Sequence, residues 1–245
     1  MYNRQDYVIF DNKIKKLDIS GKFEIETIFK LLKNIKIIQS IVSAGLGYFT
    51  MAIIMTATPL HMHLVNKFTL FETSIVIQLH VIGMFLPSLF SGDLIKRFGN
   101  TNIIYAGVGI LFLSILTNTL FDFYYSYMLG LILLGIGWNF LFVSGSSLLV
   151  VSYEEKDKFT AQGLNDFIVF STQGIGSLSA GFLLYFSNWT VINLLCVPLL
   201  IIVLVVSFNP TISISSPTFT TPLSILPVTT VPLPEIELSL IHISE

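Results

Sequence analysis

The stretch SGDLIKRFGN, residues 91–100, places two glycines, an acid and two adjacent bases between two long apolar runs. These runs cover roughly residues 69–90 and 102–120, and each is long enough to cross a bilayer as a helix, which takes about 20 mostly apolar residues. Charged side chains are costly inside the bilayer, so the stretch is expected at a membrane surface. It therefore predicts a polar turn between two membrane helices.

The composition of the whole chain agrees with a membrane protein. The 245 residues have a mean hydropathy of +0.79, and 11% of them are charged, which is about half the share in an ordinary soluble domain. The net charge of -2 gives no basic surface for nucleic acid. The single cysteine, Cys196, lies in an apolar run, so we expect it to be buried and to form neither a disulfide nor a thiolate metal site.

Six stretches are long and apolar enough to span a membrane. They cover approximately residues 37–60, 69–90, 102–120, 124–151, 161–186 and 189–208. Backbone groups that face lipid must form hydrogen bonds within their own segment, and these runs are too long and too evenly apolar for barrel strands. We therefore predict an all-α membrane protein with six transmembrane helices in residues 37–208.

The residues before and after this domain differ in character. Residues 1–36 carry eight of the thirteen Lys and Arg and lack the apolar core of a secretory signal peptide, so they are interpreted as a basic cytoplasmic segment. Within it ETIFKLLKNIKI (26–37) has one apolar helical face, which predicts a helix along the inner membrane surface or a solvated linker helix. Residues 209–245 are rich in Pro, Ser and Thr and contain no Lys or Arg, so they predict a disordered tail. Its end, LSLIHISE (238–245), resembles the translated read of a sequencing adapter, and we expect the tail to be partly artefactual.

The basic residues also predict the orientation of the chain. Cytoplasmic segments of membrane proteins carry an excess of Lys and Arg. If the N-terminus is cytoplasmic, twelve of the thirteen basic residues lie on that side, and only Lys67 lies outside. Both termini are then cytoplasmic, and residues 91–100 form a cytoplasmic turn. We expect a multi-pass protein of the plasma membrane.

Polar side chains at bilayer depth indicate which spans line a polar interior, because they are costly when they face lipid. The first, second, fourth and fifth spans carry them near the midplane: Tyr48, Gln78, His80, Trp138, Asn139 and Gln173. The third and sixth spans have no amide, imidazole or charge at that depth. We therefore expect spans one, two, four and five to line a solute path, and spans three and six to face lipid.

Each of these residues also has an alternative structural role. His80 is suited to a hydrogen bond with a neighbouring helix, or to facing a substrate or carrying a proton. Trp138 is suited to a cavity wall or a tight helix contact, and Asn139 to orienting a ligand or joining two helices. Asp166 lies near the inner end of span five, where a gating or structural ion pair is favoured over a proton relay.

The chain has none of the familiar catalytic motifs. It contains no phosphate loop, zinc-protease motif, CxxC pair or nucleophile elbow, so we expect no enzyme and no cofactor. HMH (61–63) offers two imidazoles and a thioether, but side chains two residues apart on a helix diverge. We therefore expect no metal site.

The stretch 91–100 resembles the cytoplasmic loop motif of the major facilitator superfamily, which reads roughly G-x-x-x-D-[RK]-x-G-[RK]-[RK]. Three residues match the motif: Gly92, Arg97 and Gly99. Lys96 occupies the usual position of the acid, and the last two positions lack the usual bases. Asp93 lies about one helical turn earlier and can replace the acid if the helix persists there.

Four further segments resemble the C-terminal six-helix halves of bacterial members of the family: MTATPLHM (55–62), IQLHVIGMFLPSLFSG (77–92), GIGWNFLFVSGSSLL (135–149) and QGLNDFIVF (162–170). The resemblance implies that helices one, two, four and five of the half line the substrate path. It also implies a cytoplasmic gate with the other half, formed here by Gly92, Asp93, Arg97, Gly99 and Asp166.

The function implied by the resemblance is transport of a small solute by alternating access, as half of a secondary active transporter, with a coupled proton as an option. Its partners would be the lipid bilayer, the solute, and a second six-helix half that is missing from the chain or supplied by another copy. The chain is then expected to be a fragment or a half-transporter that pairs. The alternatives are a six-helix channel or pore subunit, and a membrane scaffold that transports nothing.

Overall fold

The computed structural model describes residues 25–208, and that part of the chain consists of helices joined by short connections. The helices are α1 (Ile25–Leu31), α2 (Ile35–Leu60), α3 (Leu70–Phe85), α4 (Ser88–Phe98), α5 (Asn100–Leu120), α6 (Tyr124–Val150), α7 (Lys158–Phe186) and α8 (Trp189–Ser207). A π-helical segment, His61–Val65, continues α2, and a short 3-10 turn, Glu155–Asp157, precedes α7.

The prediction of an all-α fold with six transmembrane helices is confirmed. Six helical stretches between residues 35 and 207 are long and apolar enough to cross a membrane. Five of them are single helices or a helix with its short extension, and the second consists of α3 and α4. The predicted basic segment before residue 25 and the predicted tail 209–245 lie outside the described residues.

The prediction of a turn across residues 91–100 is wrong for most of its length. Helix α4 continues to Phe98, and the chain reverses at Gly99, whose φ of 82° favours glycine. Asp93 and Lys96 lie one turn apart on α4 and form an ion pair of 3.5 Å, so the charged residues are accommodated on an exposed helix. The second span is instead interrupted at Pro87, which lacks the N–H that a continuous helix would use.

Helix α6 lies at the centre of the bundle and contacts α2, α3 and α5 closely. A Cβ at Gly135 would lie 2.6 Å from the carbonyl oxygen of His80 on α3. A Cβ at Gly145 would lie 3.0 Å from the carbonyl oxygen of Ser40 on α2. Small residues therefore allow the helix backbones to approach, as is common in membrane proteins.

The main core contains side chains from all six spans. It includes Ile54 of α2, Leu111 of α5, Leu134 of α6, and Ile192 and Leu200 of α8, all fully buried. Coverage is unequal, because the apolar window of the first span is 72% buried, whereas those of the second and fifth spans are 22% and 17% buried. Helices α3, α4 and α7 thus present the least covered surface.

Helix α1 is shorter than the predicted amphipathic helix and packs onto one end of the bundle. Leu31 is buried against Leu149 and Leu164. The predicted helix is interrupted at Asn34, which caps the start of α2 by accepting a hydrogen bond from the backbone N–H of Lys36. Lys30 Nζ donates to Asp157 Oδ2 over 2.8 Å. We call this end of the bundle the basic end, because the last turn of α4 and the start of α7, which also lie there, carry basic residues. The opposite end, where α2 continues into His61–Val65, is called the histidine end.

Candidate functional site

Two of the predicted path residues lie together in an aromatic cluster, which consists of Tyr48 on α2 and Trp138 and Phe142 on α6. The Trp138 and Phe142 rings stack at 5.4 Å with an interplanar angle of 8°. The Tyr48 ring meets both edge-on, at 4.9 Å from Trp138 and 5.2 Å from Phe142. Trp138 is 4% exposed and its Nε1 has no partner within residues 25–208, while the other two rings are half-buried. The three rings therefore pack against one another between α2 and α6.

Gln78 and His80, both predicted as path residues on the second span, have different surroundings. His80 is fully buried, and its Nδ1 lies 2.8 Å from the carbonyl oxygen of Leu131 on α6. Because a carbonyl oxygen only accepts, Nδ1 must carry a proton, which leaves Nε2 as an acceptor in the neutral ring. Nε2 is buried and has no hydrogen-bond partner among the described residues. Gln78 is exposed, so the structure does not bring it to His80.

Asn139 is engaged with the break between α3 and α4. Its Nδ2 donates to the carbonyl oxygen of Met84 at 2.8 Å and to the Ser88 hydroxyl at 2.6 Å. Its Oδ1 accepts from the Ser91 hydroxyl at 2.8 Å. The side chain is 1% exposed, and all three bonds hold α6 to residues on both sides of the break. Of the two roles considered for Asn139, joining helices is the one that its contacts fit.

The polar residues of α7 have different surroundings. Asp166 is exposed and accepts a hydrogen bond of 3.2 Å from Asn165 Nδ2. Gln173 is half-buried beside Thr172, whose hydroxyl donates to the carbonyl oxygen of Gly45 on α2 at 3.0 Å. Thr172 thus joins α7 to α2, while the Asp166 carboxylate is left exposed.

The remaining predicted gate residues lie on the last turns of α4. Asp93 is paired with Lys96, and both side chains are exposed by about four-fifths, at 86% and 79%. The Arg97 guanidinium lies 5.2 Å from the centre of the Phe98 ring and has no ion pair among the described residues. A Cβ at Gly92 would meet no atom within 4 Å. These side chains are available for contacts with another surface.

The basic end is also held by charges that precede α7. The hydrogen bond that Lys30 donates to Asp157 holds the pKa of Lys30 above its usual value. Lys156 lies 2.7 Å from Glu154, and this hydrogen bond keeps the pKa of the Glu154 carboxyl below its usual range. Both shifts favour the charged forms, so α1 is fastened to the start of α7 near neutral pH.

The sequence did not indicate a polar cluster at the histidine end. His61 Nδ1 lies 3.0 Å from the Tyr127 hydroxyl, which in turn donates to Asp122. Asn66 also donates to Asp122, at 2.6 Å, and the His61 ring stacks on Trp189 at 5.2 Å. These residues come from four separate parts of the chain. The only local signal was the acid in FDF (121–123), directly before an aromatic-rich helix start.

No group of three or more His, Cys, Asp or Glu side chains within residues 25–208 is arranged to hold a metal ion. His61 and His63 of the HMH stretch have different environments. His61 is 7% exposed, whereas His63 is exposed and its Nδ1 lies 3.0 Å from the Phe68 carbonyl oxygen. The two imidazoles thus diverge, as their spacing predicts.

Comparison with known proteins gives the family of the chain. The family model of the Major Facilitator Superfamily matches residues 40–230. The riboflavin transporter RfnT of Brucella anthropi is 38% identical over 181 residues, which cover 72% of this chain and 44% of that protein. The uncharacterized MFS-type transporter YddS of Bacillus subtilis is 30% identical over 187 residues, covering 75% of this chain and 42% of that protein.

A second Bacillus subtilis protein, the uncharacterized MFS-type transporter YdeG, is 31% identical over 152 residues, 61% of this chain and 35% of that protein. The chain therefore spans less than half the length of the curated relatives it matches. The family consists of membrane transporters of small solutes, so the expectation that the chain is not an enzyme is confirmed. With its six apolar helices and a family match over most of its length, the chain belongs to the Major Facilitator Superfamily.

Proposed function

We propose that the chain is one six-helix half of a secondary active transporter that moves a small solute across the plasma membrane by alternating access. In such a cycle two halves rock about a site near the midplane, which opens to each side in turn. The second half would be supplied by further sequence of a longer protein or by another copy. The relatives support this proposal, because the chain spans 44%, 42% and 35% of their lengths.

The observation that carries the proposal is the polar character of the least covered surface. Helices α3, α4 and α7 are the least buried spans, and they expose Gln78, Asp93 and Asp166. An amide and a carboxylate within a span are disfavoured on a surface that faces only lipid. We therefore assign this surface to the solute path and to the second half.

The gate is proposed for the basic end, on the cytoplasmic side. Asp93 and Arg97 lie on a rigid helical turn and expose their charges, and Gly92 leaves room for close approach. Gly99 makes the reversal that ends this turn. Asp166 on α7 would face the corresponding helix of the second half. We propose that both termini are cytoplasmic. In support, seven of the eight Lys and Arg within residues 25–208 lie at the basic end and only Lys67 lies at the other.

The proposed solute is planar and aromatic. The cluster of Tyr48, Trp138 and Phe142 places three aromatic rings between α2 and α6, and aromatic rings suit packing against a planar ring system. The relative from Brucella anthropi carries the name riboflavin transporter, so riboflavin is the first solute to test. A coupled proton is part of the proposal. The buried His80, whose Nε2 has no hydrogen-bond partner within residues 25–208, is the candidate carrier.

The test is uptake of radiolabelled riboflavin into cells that express the chain, alone and together with an N-terminal six-helix half of RfnT. We expect saturable uptake that requires the second half and falls at least tenfold in Trp138→Ala. Tyr125→Ala is the matched control, because Tyr125 is an exposed aromatic residue on the same helix outside the cluster, and it should leave uptake unchanged.

Three results would overturn parts of the proposal. A flux that rises linearly with concentration would indicate a pore. Full uptake in Trp138→Ala and Tyr48→Ala would remove the aromatic cluster from the path. Labelling of a cysteine at position 93 or 97 from outside the cell, in a Cys196→Ala background, would invert the orientation.

A further inference from the structure

The histidine end contains a connected chain of polar groups that transport, as proposed above, does not use. His61 contacts Tyr127, and Tyr127 contacts Asp122. His61 begins the π-helical segment that continues α2, Tyr127 belongs to α6, and Asp122 lies in the connection between α5 and α6. Trp189, at the start of α8, stacks on the His61 ring with an interplanar angle of 16°. We call His61, Tyr127, Asp122 and Trp189 the histidine clamp.

The direction of the hydrogen bonds follows from the chemistry of Asp122. Its carboxylate accepts from Asn66 Nδ2 and from the Tyr127 hydroxyl. Since the Tyr127 proton points to Asp122, the Tyr127 oxygen must accept from His61 Nδ1. Nδ1 therefore carries the proton in the neutral ring. Nε2 is then the atom at which an additional proton binds.

The surroundings of His61 favour such a proton in two ways. The imidazolium would lie against the face of the Trp189 indole, whose ring centre is 5.2 Å away, in a cation–π arrangement. Its bond to Tyr127 would become charge-assisted and would end at a carboxylate. Burial of the ring, which is 7% exposed, opposes the charge. His61 also lines a small pocket with Asp122 and Trp189, which gives a proton a route to the ring.

The other titratable groups near this end are engaged elsewhere. His63 points its Nδ1 to the Phe68 carbonyl oxygen, and Lys67 donates to the Leu64 carbonyl oxygen at 2.7 Å. The Glu72 carboxylate on α3 accepts from the backbone and hydroxyl of Thr69, both at 2.8 Å. Trp189, the clamp residue of α8, has an indole side chain, which does not titrate. Among the described residues, Tyr127 and Asp122 are therefore the titratable groups that face His61.

We propose that His61 is a proton-binding site within the clamp that holds the ends of α2, α6 and α8 together. The π-helical segment His61–Val65 supports a special role for this position, because π-helical turns are rare and are frequent at functional sites. The proposal does not depend on which solute the protein carries.

The test uses the fluorescence of Trp189. The chain has two tryptophans, so Trp138→Phe leaves Trp189 as the single indole. A protonated imidazole quenches a stacked indole more strongly than a neutral one. In nanodiscs we expect the emission of this variant to fall as the pH decreases from 8 to 5. The transition should be lost in His61→Gln and unchanged in His63→Gln, the matched control.

Two conservative variants test the relay to the carboxylate. Tyr127→Phe keeps the ring and Asp122→Asn keeps the side-chain volume. Each should shift the transition to lower pH by about one unit, because Asp122→Asn removes the negative charge and Tyr127→Phe removes the hydroxyl that connects it to His61. These variants also carry the test if His61→Gln fails to fold. A transition that persists in His61→Gln would overturn the proposal. So would a transition whose midpoint in Tyr127→Phe and in Asp122→Asn equals that of the parent.

Discussion

Helices α6 and α7 have similar lengths, 27 and 29 residues, and both contain several glycines and serines, but their surroundings differ. Gly135 and Gly137 of α6 lie against other helices so closely that a Cβ would come within 2.7 Å of a neighbouring atom. A Cβ at Gly174 or Gly181 of α7 would meet no atom within 4 Å, although Gly176 packs on α2. Glycine thus serves internal packing in α6, whereas two glycines of α7 lie on an open surface.

The polar residues of the two helices differ in the same way. Asn139 of α6 is buried and makes three hydrogen bonds within the bundle. Asp166 of α7 is exposed, and within residues 25–208 its hydrogen bond comes from its neighbour Asn165. The difference indicates that α6 completes its contacts inside this half, whereas the small and polar residues of α7 are suited to contacts with another surface.

The largest effect on this comparison is expected from Gly135→Ala. The new Cβ would lie 2.6 Å from the His80 carbonyl oxygen and 2.8 Å from the Met84 backbone nitrogen. Backbone atoms cannot rotate away, so α3 must move, at a cost of about 3 kcal/mol. Thermal unfolding followed by circular dichroism measures the loss. Gly174→Ala on α7 is the matched control and should be neutral or stabilising by up to about 1 kcal/mol, because alanine favours a helix more than glycine does. Equal losses at both positions would contradict the comparison.

A smaller loss is expected from Asn139→Leu. The change leaves the Met84 carbonyl oxygen without its Asn139 donor and the hydroxyls of Ser88 and Ser91 without their Asn139 partner, which should cost about 2 kcal/mol. Chemical unfolding in detergent measures this cost. Gln173→Leu on α7 provides the control, because Gln173 is half-buried and has no hydrogen bond described in this half, and it should be close to neutral. A neutral Asn139→Leu would show that the break between α3 and α4 does not need the amide.

Asp166→Asn should leave the stability of this half unchanged within about 0.5 kcal/mol, because the carboxylate is exposed. If α7 faces the second half as proposed, the same change should reduce riboflavin uptake by the paired halves. A loss of stability in the isolated chain, with uptake intact, would place Asp166 among the structural residues instead.

The smallest effect concerns the charges that fasten the start of α7 to α1. The hydrogen bond to Asp157 raises the pKa of Lys30 above its ordinary value of 10.5. The stabilisation is therefore fully present below pH 10.5 and is lost as the pH rises through the folded pKa. The difference in unfolding midpoint between the parent chain and Lys30→Met should be constant from pH 8 to pH 10 and decrease above that range. Lys33→Met, an exposed change one turn away, should give no pH-dependent difference.

The six spans could be predicted from the sequence because the length and apolarity of a membrane helix are local properties. The break at Pro87 and the continuation of α4 to Phe98 were harder to predict, since Gly, Asp and Lys are common both in turns and on exposed helix ends. Tyr48 and Trp138 lie on two different spans, and the sequence periodicity does not show which sides of those spans face each other. Their contact could therefore not be predicted. The histidine clamp joins residues 61, 122, 127 and 189, and no local pattern connects positions so far apart.

Gly99 is the single residue between α4 and α5, and this limits how the two helices can move. Two consecutive virtual bonds of the backbone reach at most about 7 Å, so Phe98 and Asn100 cannot separate further than that. If α4 pivots at the break near Pro87, the displacement of its basic end must be shared by α5. The charges of Asp93 and Arg97 are thus mechanically connected to α5, which packs closely against α6. A force applied at the proposed gate would reach the core of this half directly, without a flexible loop to absorb it.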